Sequence, residues 1–125
     1  MTELRYTKEH EAVLIDGDVA YVGITKYALE ALGDLVYIEL PDVGRQVEKG
    51  GEIAVIESVK TAAEIYAPVS GEVIEANAAL EANLDALKKP LDKDGWIAKI
   101  RLSSSEDVAL LMDEAEYATY LRECD

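Results

Sequence analysis

Glu57-Ser58-Val59-Lys60-Thr61-Ala62-Ala63-Glu64-Ile65-Tyr66-Ala67-Pro68-Val69-Ser70-Gly71 places a lysine between two β-type runs. Glu52 to Val59 reads as one strand and Thr61 to Ala67 as the next, so Lys60 is expected at a hairpin tip with its amine in water. Pro68 and Ser70-Gly71 break the pattern before a further strand from Val69 to Ala76. Upstream, Leu35 to Leu40 alternates apolar and polar residues and stops at Pro41, and Val43-Gly44 opens a turn-rich passage to Gly50-Gly51. Further out, Ala12 to Ile15 and Val19 to Ile24 flank Asp16-Gly17-Asp18, a hairpin signal, because the Asp-Gly pair supplies positive φ angles. Thr25 is placed to cap a short helix that runs through Leu32 and ends at Gly33. Short strands with frequent turns predict a compact, mainly β unit.

Downstream, Leu80, Leu84 and Leu87 recur at helical spacing, which predicts an amphipathic helix from Ala78 to Lys89, ended by Pro90. Trp96 to Leu102 reads as a returning strand. Ser103 to Ser105 offer N-caps, and Glu106 to Leu111 and Glu114 to Glu123 read as two C-terminal helices. Gly44, Gly71 and Trp96 are expected to shape the fold and not to contact ligands.

The chain has 125 residues, within the usual span of one domain, and half of them are of hydrophobic type. No Phe is present, so Val, Ile, Leu and the seven Tyr must fill the interior. One domain over 1–125 is expected, with a β core over about 11–102 and C-terminal helices over about 105–123. Against 12 basic residues stand 26 acidic ones, a formal charge of −14, which disfavours nucleic acid and anionic membrane as partners and favours basic docking surfaces. The single cysteine, Cys124, cannot close an internal disulfide and reads as a bystander thiol. The first ten residues carry neither an apolar signal stretch nor an Arg-rich presequence, and no apolar run is long enough to span a bilayer, so a cytoplasmic location is expected. No nucleophile–base pair, phosphate loop or metal cluster is visible, and a lone histidine makes a metal site improbable.

A lysine between two strands is ordinary in itself; its surroundings single it out. The chain resembles the glycine cleavage system H proteins, in which the lysine of a Glu-Ser-Val-Lys turn carries lipoate. The likeness takes in Tyr6-Thr7, Glu9-His10-Glu11, Val22-Gly23-Ile24-Thr25, Leu32-Gly33-Asp34, Val36-Tyr37-Ile38-Glu39-Leu40-Pro41, Val43-Gly44, the lysine turn through Ser70-Gly71-Glu72-Val73, Asn77 and Gly95-Trp96. Biotin carriers place Met on both sides of the modified lysine, whereas Val59 and Thr61 flank it here. Lipoyl domains of the 2-oxo acid dehydrogenases lack the Glu-His-Glu segment and the C-terminal helices.

The resemblance implies a barrel-sandwich hybrid of two small sheets with helices packed outside. It implies lipoate joined by an amide to Lys60, with Glu57, Ser58, Val59 and Thr61 forming the turn that presents it. It also implies a carrier without catalysis of its own, served by glycine decarboxylase with its pyridoxal phosphate, the tetrahydrofolate-dependent aminomethyltransferase, dihydrolipoyl dehydrogenase, and a lipoate ligase or lipoyl transferase. An exposed amine is mostly protonated at neutral pH, so such an enzyme must acylate it. Glu9, His10, Glu11 and Glu64 match the family's cleft for the loaded arm, where carboxylates would favour a protonated amine. A hydrogen-bonded structural role is the expectation for His10.

Two departures stand out. Ala12 replaces the usual Trp after Glu-His-Glu, which predicts less aromatic surface there, and 81–93 lacks the usual Pro, Asn and Pro-Tyr features. They leave open an H-like protein that relays lipoyl groups between enzymes. A purely structural β-domain with an unmodified lysine is the third possibility.

Overall fold

The computed structural model describes residues 2–91, 93–103 and 106–124. Among the described residues, nine strands form two antiparallel sheets. β1 (Thr2–Tyr6), β2 (Glu11–Asp16), β3 (Val19–Ile24), β5 (Gln46–Val47), β8 (Gly71–Ala76) and β9 (Ala98–Leu102) make one, in the order β1-β2-β3-β9-β8-β5. β4 (Leu35–Glu39), β6 (Glu52–Ser58) and β7 (Ala62–Tyr66) make the other, with β6 in the middle. Val13, Val22, Val73 and Ile100 from the larger sheet and Ile38, Ile56 and Ile65 from the smaller belong to one buried cluster. Each such side chain, taken fully out of water, contributes roughly 1.5–3 kcal/mol. This is a mainly β, two-sheet sandwich with short helices outside. No helix among the described residues is long and apolar enough to cross a membrane.

The first hairpin turns at Gly17, with φ +63°, and pairs Asp16 with Val19. Helix α1 (Lys26–Leu32) begins where Thr25 Oγ1 accepts the Ala28 N–H at 3.2 Å and ends at Gly33, φ +77°. Two strands go beyond the sequence expectation. β1 is a short edge strand that alternates charged Glu3 and Arg5 with its apolar residues, and β5 has only two residues, too few for a period to show.

The single helix expected over Ala78 to Lys89 is two pieces: α2 (Ala79–Ala82) and a 3₁₀ turn over Leu84–Lys88, broken at extended Asn83 (φ −148°, ψ 87°). The periodicity was a sound guide to burial, since Leu80, Ala86 and Leu87 all point inward. Continuity fails because Ala78 has no side chain to cap the start and Asn gains little from a helix interior. α3 (Glu106–Ala109) is shorter than expected, and the caps at Ser104 and Ser105 lie outside the described residues. α4 (Glu114–Cys124) starts with a reciprocal cap: Glu116 N–H donates to Asp113 Oδ1 at 2.8 Å, and Asp113 N–H to Glu116 Oε1 at 3.0 Å.

Gly71 opens β8 pressed against β9. A methyl group there would meet the Arg101 carbonyl and lie 2.9 Å from the Ile100 side chain. Gly71→Ala is therefore expected to cost about 3 kcal/mol and lower Tm by on the order of 10 °C in a thermal melt.

Candidate functional site

The β6–β7 hairpin pairs Glu57 with Ala62 and turns through Ser58, Val59, Lys60 and Thr61. Ser58, only 8 % exposed, locks it: its N–H donates to Thr61 O at 2.7 Å and its hydroxyl to the same oxygen at 3.0 Å, while Thr61 N–H donates to Ser58 Oγ at 3.1 Å. Val59 N–H donates to Asp34 O at 2.9 Å, fastening the turn to the loop after α1. Glu57, Val59, Lys60 and Thr61 are exposed. The lysine side chain lies along Gly33, where an added methyl group would stand 3.4 Å from Cε and 3.9 Å from Nζ.

Glu11 and Glu64 both bond to Tyr66, and Glu9 lines a pocket with Glu11 and Tyr66 that Glu64 does not line. Glu11 is buried; its Oε1 accepts the Thr7 hydroxyl at 2.7 Å and its Oε2 the Tyr66 N–H at 3.1 Å. Burial pushes its carboxyl above the ordinary carboxylate range, Thr7 and Tyr66 pull it back, and the Glu9 charge adds a smaller upward push. Tyr66 donates its hydroxyl to Glu64 at 2.8 Å, which with the Glu64 charge raises the phenol. Beside Glu9, Glu11 and Tyr66 opens a pocket of about 280 Å³. Tyr66 thus ties Glu11 through its backbone and Glu64 through its side chain, a role no sequence pattern announces.

His10 does not join them. At φ +70° it turns toward a tyrosine cluster, with ring centroids 4.5 Å from Tyr27 and 5.8 Å from Tyr117, and its Nδ1 shares a 2.8 Å hydrogen bond with the Tyr117 hydroxyl. Burial lowers its pKa, against a smaller upward pull from Glu9. Tyr117 also donates to Thr25 Oγ1 at 2.9 Å, so α4 reaches the cap of α1. Ala12 is buried beside a groove lined by Tyr6, Tyr27 and Tyr117. Three tyrosines therefore supply aromatic surface near this position.

A two-sheet sandwich that presents a lysine on a locked, exposed hairpin turn defines a carrier of the lipoyl and biotinyl class, a scaffold for a tethered group. Comparison with known proteins narrows the class. The sequence model of the family described as glycine cleavage H-protein matches residues 4–124. Glycine cleavage system H proteins of Xanthobacter autotrophicus and Thermus thermophilus are 49 % and 50 % identical over 121 and 116 residues, covering 97 % and 93 % of this chain and 97 % and 91 % of theirs. The crystal structure of a glycine cleavage system H protein from Mycobacterium marinum superposes with a TM-score of 0.82 at 35 % identity, covering 94 % of each chain. The chain belongs to the glycine cleavage H-protein family, the lipoyl carriers of glycine cleavage. The relay reading is not favoured.

Proposed function

We propose that the whole chain is one carrier unit whose Lys60 amine holds lipoate through an amide. The observation that carries this reading is the placement of Lys60 at the exposed tip of the β6–β7 turn, its side chain beside Gly33. The residues fit such a group: the Ser58–Thr61 bonds hold the turn, and the amine is open to an acylating enzyme. In acylation the Lys60 nitrogen, freed of a proton by the enzyme, attacks an activated lipoyl carboxyl, and the C–N bond forms as the activating group departs. The net charge then moves from −14 to −15. When attached, the group supplies a disulfide that accepts an aminomethyl unit.

The carrier delivers that unit from the pyridoxal-phosphate glycine decarboxylase to the tetrahydrofolate-dependent aminomethyltransferase, and dihydrolipoyl dehydrogenase restores the disulfide. A lipoate ligase or lipoyl transferase loads it, and the cytoplasm is the setting. The protein's own contribution is reach and recognition, since a tether turns encounters between enzymes into local searches at high effective concentration. Glu9, Glu11 and Glu64 line the resting place of the arm. Carboxylates hold a nearby amine protonated, and an amine whose lone pair is occupied cannot expel a neighbouring thiolate. His10 holds the β1–β2 loop against α4 and takes no part in transfer.

The test is intact mass after expression with lipoate and a ligase, followed by glycine–bicarbonate exchange with purified glycine decarboxylase. One lipoyl increment located on Lys60, together with exchange, is the expected result. A lipoyl increment without exchange would favour the relay reading instead.

A further inference from the structure

The outward face of the β4-β6-β7 sheet is unlike the rest of the surface. Tyr37, Glu57 and Ala62 lie in one row across it, and Glu39, Val55 and Glu64 in the next. The register of β4 against β6 shifts between Leu35 and Tyr37, so Val36 is an extra residue in a bulge. Bulges re-aim side chains, and here Val36 and Tyr37, neighbours in sequence, are both turned to solvent at 57 % and 51 % exposure. Val59, on the turn beside them, is 72 % exposed. Three large apolar side chains thus stand in water next to Lys60.

Charge distinguishes this face from the β8–β9 pair. On the β8–β9 pair the acids are matched across the strands, Glu75 with Lys99 at 3.1 Å and Glu72 with Arg101 at 4.0 Å. Asp34, Glu39, Glu57 and Glu64, around the apolar patch, have no ion-pair partner among the described residues. Unmatched acids around an apolar centre complement an apolar recess ringed by Lys and Arg.

The occupant follows from a selection problem. The enzyme that acylates Lys60 meets the chain before any arm exists, so only protein surface can direct it. Exposure cannot, because Lys8, Lys26, Lys49, Lys88, Lys89 and Lys93 are exposed too. The Val36–Tyr37 bulge with Val59 accompanies Lys60 alone.

We propose that this face, centred on Val36, Tyr37 and Val59 and rimmed by Asp34, Glu39 and Glu57, is the docking surface for the lipoate-attaching enzyme, which meets it with an apolar recess and a basic rim. The proposal rests on the lipoylation of Lys60 and adds how that lysine is chosen.

The experiment uses the full unacylated chain with a purified lipoate ligase, ATP and lipoate, and follows acylation by intact mass. Tyr37→Ser and Val36→Ser remove exposed side chains, so their thermal midpoints should match the parent. For Tyr37→Ser, kcat/KM for acylation is expected to fall about tenfold or more, mainly through KM. Val43→Ser, on the loop whose Gly44 N–H bonds to β8, should behave as the parent. A Lys60→Arg chain should compete with the parent for the ligase, and a Lys60→Arg/Tyr37→Ser chain should compete about tenfold less well. Parent-like kcat/KM in both Tyr37→Ser and Val36→Ser would overturn the docking surface while leaving Lys60 acylation standing. A parent chain untouched by a ligase that loads another carrier would overturn the Lys60 assignment itself.

Discussion

Lys60→Arg is expected to show no lipoyl mass increment and to reduce glycine exchange to the background of the decarboxylase alone. The substitution is chosen to isolate chemistry from charge. Arginine keeps a cation on an exposed turn, but its guanidinium stays protonated throughout the accessible pH range and cannot act as an acyl acceptor. The lysine side chain is exposed, and the Ser58–Thr61 hydrogen bonds that hold the turn do not involve it. Stability should therefore change by no more than about 0.5 kcal/mol, as for other surface replacements. A normal melt with no mass increment assigns the loss to the amine. Exchange at the parent rate would remove Lys60 from the mechanism.

Glu11→Ala is the second large effect, and it falls on stability. The buried carboxylate accepts from the Thr7 hydroxyl and the Tyr66 N–H, and alanine removes the acceptor of both donors. A cost of about 2–4 kcal/mol in urea unfolding is expected, because burial makes an unsatisfied donor expensive. Glu11→Gln should cost far less, since one amide oxygen can still accept from Tyr66. Its pH dependence carries the sharper signature. Burial raises the Glu11 carboxyl above its unfolded value, so the folded state binds a proton that the unfolded state releases. Its contribution is thus fully present below the ordinary carboxylate range and is lost as pH rises through the higher folded value. The stability difference between the parent and Glu11→Gln should shrink across that window. A difference independent of pH would mean that Glu11 titrates as it does in the unfolded chain.

The sequence exposed the strands around Lys60 well, because Glu52 to Ser58 and Ala62 to Tyr66 have turn residues between them. The α1 boundaries at Thr25 and Gly33 were equally readable, since capping is local chemistry. What stayed hidden depends on contacts far apart in the chain. β1 gains its place by pairing with β2, by two bonds between Tyr6 and Met112 and by the stacking of Tyr6 on Tyr117, and nothing within Thr2 to Tyr6 announces these partners. The resemblance implies one cleft for Glu11 and Glu64, but Tyr66 as the link between them has no sequence signal, and the break at Asn83 overrides a helical leucine spacing. The bulge at Val36 left no trace in alternation, because an extra residue only becomes visible against its partner strand.

The bond between His10 and Tyr117 joins residues 107 positions apart, and Tyr117 also reaches the cap of α1. During synthesis the first segment therefore waits for the last helix to leave the ribosome before the α1 side of the carrier can close. Contacts of such long range form slowly. The Ser58–Thr61 bonds of the β6–β7 turn are local by contrast, so that turn can form in a nascent chain before the His10–Tyr117 contact is possible.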